Sequence, residues 1–410
     1  MSAGARSAGR ETGEAAGPID AERLRKVLAQ REPAAARSSF AVRVVRAPGR
    51  VNLIGEHTDY NEGFVLPVAI DLEIRIALVP TDDRRVDLTL LDGNERDGFD
   101  LDAIPPRSGG WIDYVAATAW SLADDGLRLR GFRGVLGSNL PMSSGLSSSA
   151  ALEMASAWAL LDPPDPIAQG IDRMTLARLA QRGENEYVGV KSGLMDQFAS
   201  SLGRARAAML LDCRSLDHRA VGLPLARHRL VVCDSGSPRR LDASEYNARR
   251  AECEEAVAII ASRDPSVRSL RDVDLDKLIG ARFALDERIF RRAEHIVREN
   301  ERVLATVDAL EAGDLEAVGR LFAQSHASLR DLFEVSSPEL DALVEIAGAV
   351  PGVVAARMTG AGFGGCTVNI VARDAVDRLR EAVDNEYPAR TGRRARVFAV
   401  EPADGAGPVA

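Results

Sequence analysis

Hydrophobic and polar positions change period several times along the chain. Asp20 is placed to cap Ala21 through Leu28, so a short helix is predicted over about 20–30. Phe40 to Val45 alternates as a strand does, and Val65 to Val79 and Arg85 to Leu91 are rich in β-formers. Trp111 opens a helical stretch that runs to about Ala123. Gly131 to Gly137 reads as another strand. It leads into a Ser/Gly loop and an apolar helix from about Ser148 to Leu161, stopped by Asp162-Pro163-Pro164. Met174 to Glu186 reads as a helix and Gly189 to Gln197 as a loop, with strands at Ala207–Asp212 and Leu230–Cys233.

The second half is more helical. Asp242 and Glu245 resemble a capping box for a helix over Tyr246 to Ala261. Phe283 to Leu310 reads as one long helix, ended by Gly313, with Asp314 capping the next. Val353–Met358 and Cys366–Val371 read as strands on either side of a glycine-rich turn. Strands and helices mix without a regular βαβ rhythm, which favours an α+β fold. Two domains are expected, over residues 19–215 and 216–402, between disordered tails at 1–18 and 403–410.

Composition narrows the class. Hydrophobic residues make up 46% of 410 positions, enough for large cores. A net charge of −9 argues against a partner as acidic as nucleic acid, without opposing one bound nucleotide. Cys213, Cys233, Cys253 and Cys366 form no CxxC pair and no disulfide framework, which fits a reducing, cytoplasmic compartment. No apolar segment has signal-peptide or membrane-spanning length, so no membrane partner is expected. GxxxxGK(S/T), HExxH and GxSxG are all absent.

Four segments carry candidate chemistry. Arg50, Glu56, His57, Asp59 and Asn61 crowd into twelve positions between hydrophobic segments, more polar chemistry than a core strand needs. A pocket for a polyhydroxylated ligand does need it. Second, Gly137 to Glu153 is a loop of small residues feeding an apolar helix, in which Gly145-Leu146-Ser147-Ser148-Ser149-Ala150 can bring backbone N–H groups to phosphate oxygens. The same pattern describes an ordinary serine-capped helix. Third, Gly360-Ala361-Gly362-Phe363-Gly364-Gly365 satisfies GxGxxG, but a strand follows it where the dinucleotide fingerprint needs a helix, so a hairpin turn is predicted instead. Fourth, Lys191-Ser192-Gly193-Leu194-Met195-Asp196-Gln197 holds an acidic residue after a glycine turn, which by itself is also a common cap.

Together these segments resemble those of galactokinases, members of the GHMP family of small-molecule kinases. Arg46 to Asn61 resembles the family's sugar signature, Pro141 to Ala150 its phosphate loop, and Met358 to Val368 its third motif. Gly193-Leu194-Met195-Asp196-Gln197 resembles the segment of the catalytic carboxylate, with Ser192 where many members carry Cys. Ser244 to Arg250 and Ser325 to Ser336 resemble two further stretches, whereas Asp234-Ser235-Gly236-Ser237-Pro238 departs from the usual pattern. The resemblance implies a ribosomal S5-like N-terminal domain, a ferredoxin-like C-terminal domain and a site between them. It implies phosphorylation of galactose by ATP with Mg²⁺, in a monomer binding only small molecules. Asp196 and Arg50 would be catalytic, and Glu56, His57, Asp59, Gly193 and Tyr246 would meet the sugar. Gly145 to Ala150 would cradle phosphates, Ser149 and Glu184 would hold Mg²⁺, and Trp111 would pack near adenine. Glu184 also reads as a surface helical residue, and Trp111 as a core tryptophan. A kinase for N-acetylgalactosamine or arabinose, and a sensor that binds galactose and ATP without turnover, are the alternatives.

Overall fold

The structure, a computed structural model, describes residues 19–33, 40–93, 95–141, 144–237 and 243–409. The tail expected over 1–18 and the cap expected at Asp242 lie outside them. Among the described residues there are thirteen strands: β1 (Arg43–Asn52), β2 (Phe64–Val65), β3 (Pro67–Thr81), β4 (Arg85–Leu90), β5 (Arg96–Asp100), β6 (Gly131–Ser138), β7 (Ala207–Asp212), β8 (His218–Gly222), β9 (His228–Asp234), β10 (Val353–Thr359), β11 (Cys366–Ala372), β12 (Arg396–Val400) and β13 (Gly407–Pro408). The α-helices are α1 (Ala21–Arg31), α2 (Ile112–Asp124), α3 (Ser148–Leu160), α4 (Arg173–Arg182), α5 (Met195–Leu202), α6 (Ala243–Ala261), α7 (Leu275–Gly280), α8 (Glu287–Ala312), α9 (Leu315–Ser328), α10 (Pro338–Ala349) and α11 (Val376–Thr391). The α+β class expected from the pattern is the one observed.

Three sheets organise these elements. The largest runs β13-β1-β3-β6-β4-β5, a second runs β10-β11-β9-β12, and a third runs β2-β7-β8. Helix α3 packs on β1 and β3, and α2, α4 and α5 pack around it. Every residue of α3 from Ala150 to Leu160 is buried, because this helix is enclosed on all sides rather than amphipathic. On the second sheet, α9 and α10 cover β10, and α11 packs on α10. Helix α8 touches both α9 and strand β2, so it reaches from one half to the other.

Local signals explain many boundaries. Asp20 caps α1 by accepting from Glu22 N–H at 2.8 Å. Asp286, Asp314 and Ser337 cap α8, α9 and α10 in the same way, and Gly313 ends α8 in a left-handed turn. Strands β10 and β11 pair antiparallel across the glycine-rich turn, as a hairpin should. Two expectations need correcting. The chain beyond Ala403 is not disordered: Gly407 pairs with Arg46, and Ala403, Gly405 and Ala406 donate backbone hydrogen bonds to Ala69, Gly203 and Ser200. The small residues read as a loose tail are small because the chain lies against other backbone there. The long helix also starts four residues later than Phe283, at Glu287, because Asp286 caps it.

All four cysteines are free thiols. Among the described residues, no helix is long and apolar enough to cross a membrane.

Candidate active site

The ladder between β1 and β3 slips between Pro48 and Arg50. Such a bulge bends the strand and re-aims the next side chain. Arg50 is only 3% exposed. Its Nε and Nη2 reach Asp196 Oδ1 at 2.7 and 2.6 Å, and its Nη1 donates to the Gly145 carbonyl at 2.7 Å. Ser147 Oγ donates to the other carboxylate oxygen, Asp196 Oδ2, at 2.6 Å. Asp196 is therefore held from two sides, by the strand and by the small-residue loop. It lies in the first turn of α5 and not in the loop expected over Gly189–Gln197. An aspartate there suits the positive end of the helix.

Ser147 bears on the two readings of its loop. It precedes α3 with φ 60°, a left-handed conformation uncommon for a residue with a Cβ. Its hydroxyl makes no cap hydrogen bond to the helix and turns to Asp196 instead. The serine-capped helix is thereby excluded. The first N–H groups of α3, belonging to Ser148, Ser149 and Ala150, have no side-chain cap and favour an anion. Backbone from the second half closes the loop. A Cβ at Gly365 would stand 2.9 Å from the Ser144 carbonyl, so only glycine lets the hairpin lie so close. Ser235 N–H donates to the Gly365 carbonyl at 2.9 Å, which puts the unusual Asp234-Ser235-Gly236 segment behind this hairpin.

Asp59, Gly193 and Tyr246 converge beside Asp196. A Cβ on Gly193 would fall 2.0 Å from Asp59 Oδ2. Burial, and then the Asp196 charge, lift the Asp59 carboxyl to about 6. Burial, and then Asp59, raise the Tyr246 phenol well above its usual range. His57 stacks within 4.7 Å of Phe333 and 5.5 Å of Tyr246. Its Nε2 is 3.2 Å from the Ala361 carbonyl, which can only accept, so that nitrogen carries the proton and Nδ1 accepts from Tyr60 OH at 2.9 Å.

Glu56, expected on the ligand, has its carboxylate held by the second half of the chain. It is 1% exposed, pairs with Arg357 and accepts from Gly360 N–H at 3.1 Å. A carboxylate this deep needs such partners. Burial still raises it, against the opposing pull of Arg357. Helix α8 grips the same turn. His295 Nε2 lies 3.3 Å from the Glu56 carbonyl, Glu299 Oε1 accepts from Gly55 N–H at 3.1 Å, and Asn300 Oδ1 accepts from Phe64 N–H at 2.9 Å. Ser325 and Ser328, from the stretch expected to organise the second half, hold Glu299 and His295 in turn.

Glu184 is not a surface residue. Helix α4 gives way at Gly183 to a π-helical turn that tucks Glu184 inward, at 6% exposure. Such turns recur at functional sites. Its Oε2 accepts from Ser192 Oγ and from Gln197 Nε2, the latter at 3.0 Å, and Ser149 is a further hydrogen-bond partner. Burial raises its carboxyl, with the Ser192 hydrogen bond opposing. Among the described residues, no group of three or more His, Cys, Asp or Glu is arranged to hold a metal ion. One carboxylate and one hydroxyl beside an anion-binding loop do fit Mg²⁺, which takes its other ligands from phosphate and water. Trp111 is half-buried against the large core, its indole N–H donating to Glu95 Oε1 at 2.8 Å.

Sequence reading missed Arg357, Glu299, Gln197 and Glu153. The available signal was a charged or amide side chain inside an apolar run, such as Glu153 between Leu152 and Met154.

Comparison with known proteins shows the family. Residues 36–80 match the model of the galactokinase galactose-binding signature, 113–204 that of the GHMP kinases N terminal domain, and 306–389 that of the GHMP kinases C terminal. The chain is 45% identical over 371 residues to a galactokinase of Roseiflexus sp. (strain RS-1), covering 89% of this chain and 93% of that one. It is 46% identical to a galactokinase of Chloroflexus aurantiacus over 86% of this chain and 90% of that one. A solved structure, Lactococcus lactis galactokinase complexed with galactose, matches at TM-score 0.87 and 35% identity, over 93% of this chain and 99% of that one. Methanococcus jannaschii mevalonate kinase shares the fold at TM-score 0.61 and 20% identity, over 90% of this chain and 100% of that one. Identity of this order across nearly the full length means that the chain belongs to the galactokinase family of the GHMP kinases.

Proposed function

We infer that this protein transfers the γ-phosphoryl group of ATP to the anomeric hydroxyl of galactose, giving galactose 1-phosphate and ADP. One observation carries the reading. The Asp196 carboxylate is fixed between Arg50 of the sugar signature and Ser147 of the phosphate loop, where a hydroxyl acceptor and a phosphoryl donor would meet.

Phosphoryl transfer needs positioning and charge neutralisation more than covalent help. Asp196 accepts the hydrogen of the anomeric hydroxyl and aims its oxygen at the phosphorus. Arg50 fixes that carboxylate and offers positive charge to the group in flight. Gly145, Leu146, Ser147, Ser148, Ser149 and Ala150 bring backbone N–H groups to the phosphates. Ser149 and Glu184 are the residues that would hold Mg²⁺, which supplies charge neutralisation on the phosphate oxygens. Glu56, His57, Asp59, Gly193 and Tyr246 meet the sugar hydroxyls, and Trp111 packs on the adenine side. The reaction needs neither nucleic acid nor membrane, and the free thiols fit a cytoplasmic enzyme.

An ADP-release assay with Mg²⁺·ATP tests the reading across galactose, glucose, N-acetylgalactosamine, arabinose and no sugar. Turnover with galactose far above the others is expected. Preference for N-acetylgalactosamine or arabinose would move the assignment to a different sugar 1-kinase. Binding of galactose and ATP without ADP release would make the protein a sensor.

A further inference from the structure

Gln197 follows the carboxylate assigned to catalysis, but its side chain bonds two other carboxylates. Its amide nitrogen donates to Glu184 Oε2 at 3.0 Å and to Glu153 Oε2 at 2.9 Å. An amide NH₂ has two hydrogens, so both are committed. The bridge lies out of water, since Gln197 and Glu153 are both 0% exposed. Glu153 stands on α3, one turn beyond Ser149, so the bridge ties the helix that opens at the phosphate loop to the π-helical turn carrying Glu184. Two oxygens, Glu153 Oε1 and Gln197 Oε1, have no hydrogen-bond partner. Leaving buried polar atoms unmet is costly, and such groups persist where they serve a purpose.

We propose that Gln197 is a positioning residue that holds Glu184 in the geometry a Mg²⁺·nucleotide complex needs, with Glu153 as the fixed post behind it. The inference rests on the assignment of Glu184 to Mg²⁺ given above. A carboxylate that ligates a metal is oriented by its own hydrogen bonds, and loss of such a partner costs about 10–100-fold in metal affinity or activity. Ser192 also donates to Glu184, but to the same oxygen, Oε2. The two donors together fix that oxygen, on a carboxylate whose further partner is Ser149, the other residue assigned to Mg²⁺. Burial, and then the charge of Glu184, push the Glu153 carboxyl well above its ordinary range.

The test measures binding of Mn²⁺·ADP by electron paramagnetic resonance on the full chain, and galactose binding by calorimetry on the same preparations. Gln197→Met keeps the volume and removes both donors. Its Mn²⁺·ADP affinity is expected to fall about tenfold or more, with galactose affinity within about twofold. Glu184→Ala is expected to fall at least as far, and Gln197→Met to add nothing in that background. Glu153→Gln, which keeps an oxygen acceptor, is expected to hold metal affinity that Glu153→Met loses. Should Gln197→Met fail to fold, Gln197→Glu has the same shape and supplies at most one of the two donors. Wild-type Mn²⁺·ADP affinity in a folded Gln197 variant, with Glu184→Ala impaired, would overturn the role of Gln197 alone. Wild-type affinity in Glu184→Ala would overturn the metal assignment and the proposal with it. Equal losses of metal and galactose binding in the Gln197 variants would make Gln197 a general structural residue, which also overturns it.

Discussion

A single methyl group at Gly193 tests whether Asp59 reads the sugar. A Cβ built there stands 2.0 Å from Asp59 Oδ2 and 2.1 Å from Asp59 Cγ, whereas ordinary contact begins near 3.4 Å. The carboxyl therefore has to retreat by about 1.4 Å, the difference between 3.4 and 2.0. The backbone at 193 is badly placed to yield instead. Ser192 on one side is tied to Glu184, and α5 on the other carries Asp196, so any shift there moves the chemistry as well. Misplacement of a positioning group by about 1 Å costs on the order of 100-fold. Gly193→Ala is accordingly expected to lower kcat/KM for galactose about 100-fold, ~2.7 kcal/mol, while the KM for ATP stays within about threefold. ADP release with galactose and ATP varied separately measures both. In an Asp59→Ala background the obstructed atoms are gone, so adding Gly193→Ala should cost less than about threefold. Wild-type kcat/KM in Gly193→Ala, or its full cost in the Asp59→Ala background, refutes the argument.

Four other expectations follow from the same geometry. Asp196→Ala should lower kcat about 10³-fold and leave the galactose dissociation constant within about tenfold, read by single-turnover assay and calorimetry; near wild-type turnover would remove Asp196 from the chemistry. Asp59, lifted to about 6, should give kcat/KM for galactose an acid limb near that pH, because the ionised carboxylate is the stronger acceptor for sugar hydroxyls, and Asp59→Asn should abolish it. Stability should run the other way: this group's contribution, at most ~3 kcal/mol, is present below the ordinary value of 3.8 and lost as pH rises through about 6, so chemical denaturation of wild type against Asp59→Asn should show a smaller difference in acid. Arg357→Met should cost about 3–5 kcal/mol by leaving Glu56 buried without its cation, a loss that shrinks in acid because the Glu56 carboxyl is already raised by burial; an unchanged melting temperature would show that the pair is dispensable.

What the sequence made legible was whatever has a local cause. Asp20, Asp314 and Gly313 end or begin helices through their own hydrogen-bonding and backbone preferences, and each does so here. The rejection of the dinucleotide fingerprint also needed only local order, a strand where a helix was required. The failures have non-local causes. Whether Glu184 is buried depends on a π-helical turn packed against α2, where a Cβ at Gly183 would be 2.6 Å from the Ala117 carbonyl, and no helical pattern within residues 174–186 reveals that. The chain after Ala403 looks like a tail by composition, yet its order comes from β1 and from the turn near Gly203, two hundred residues and more away. Likewise, the serines of the phosphate loop look alike in sequence. Only the fold shows that Ser147 turns its hydroxyl to Asp196.

The polar density of residues 50–61 has two causes, and sequence reading credited only one. Arg50 and Asp59 do face Asp196. Thr58 and Asn61 instead close the turn on itself, through hydrogen bonds to the carbonyls of Gly55, Phe64 and His57. Glu56 faces the second half, where Arg357 and Gly360 receive it, and the backbone of Gly55 and Glu56 is received by Glu299 and His295. Burial and the surrounding charges make those receivers well defined. Burial works to raise Glu299, but Arg302, His295 and Arg357 outweigh it and bring the carboxyl to about 2, while burial lowers His295 to about 4. At neutral pH the signature therefore meets a fixed anion and a neutral imidazole, neither of which titrates in the range where the enzyme would work. The site is thus assembled by contact between the two halves: the bulge on β1 aims Arg50, and the second half holds the turn that presents Asp59. Substitutions at Glu299 or Arg357, far along the chain and without reach to the sugar, should act on galactose recognition through that turn.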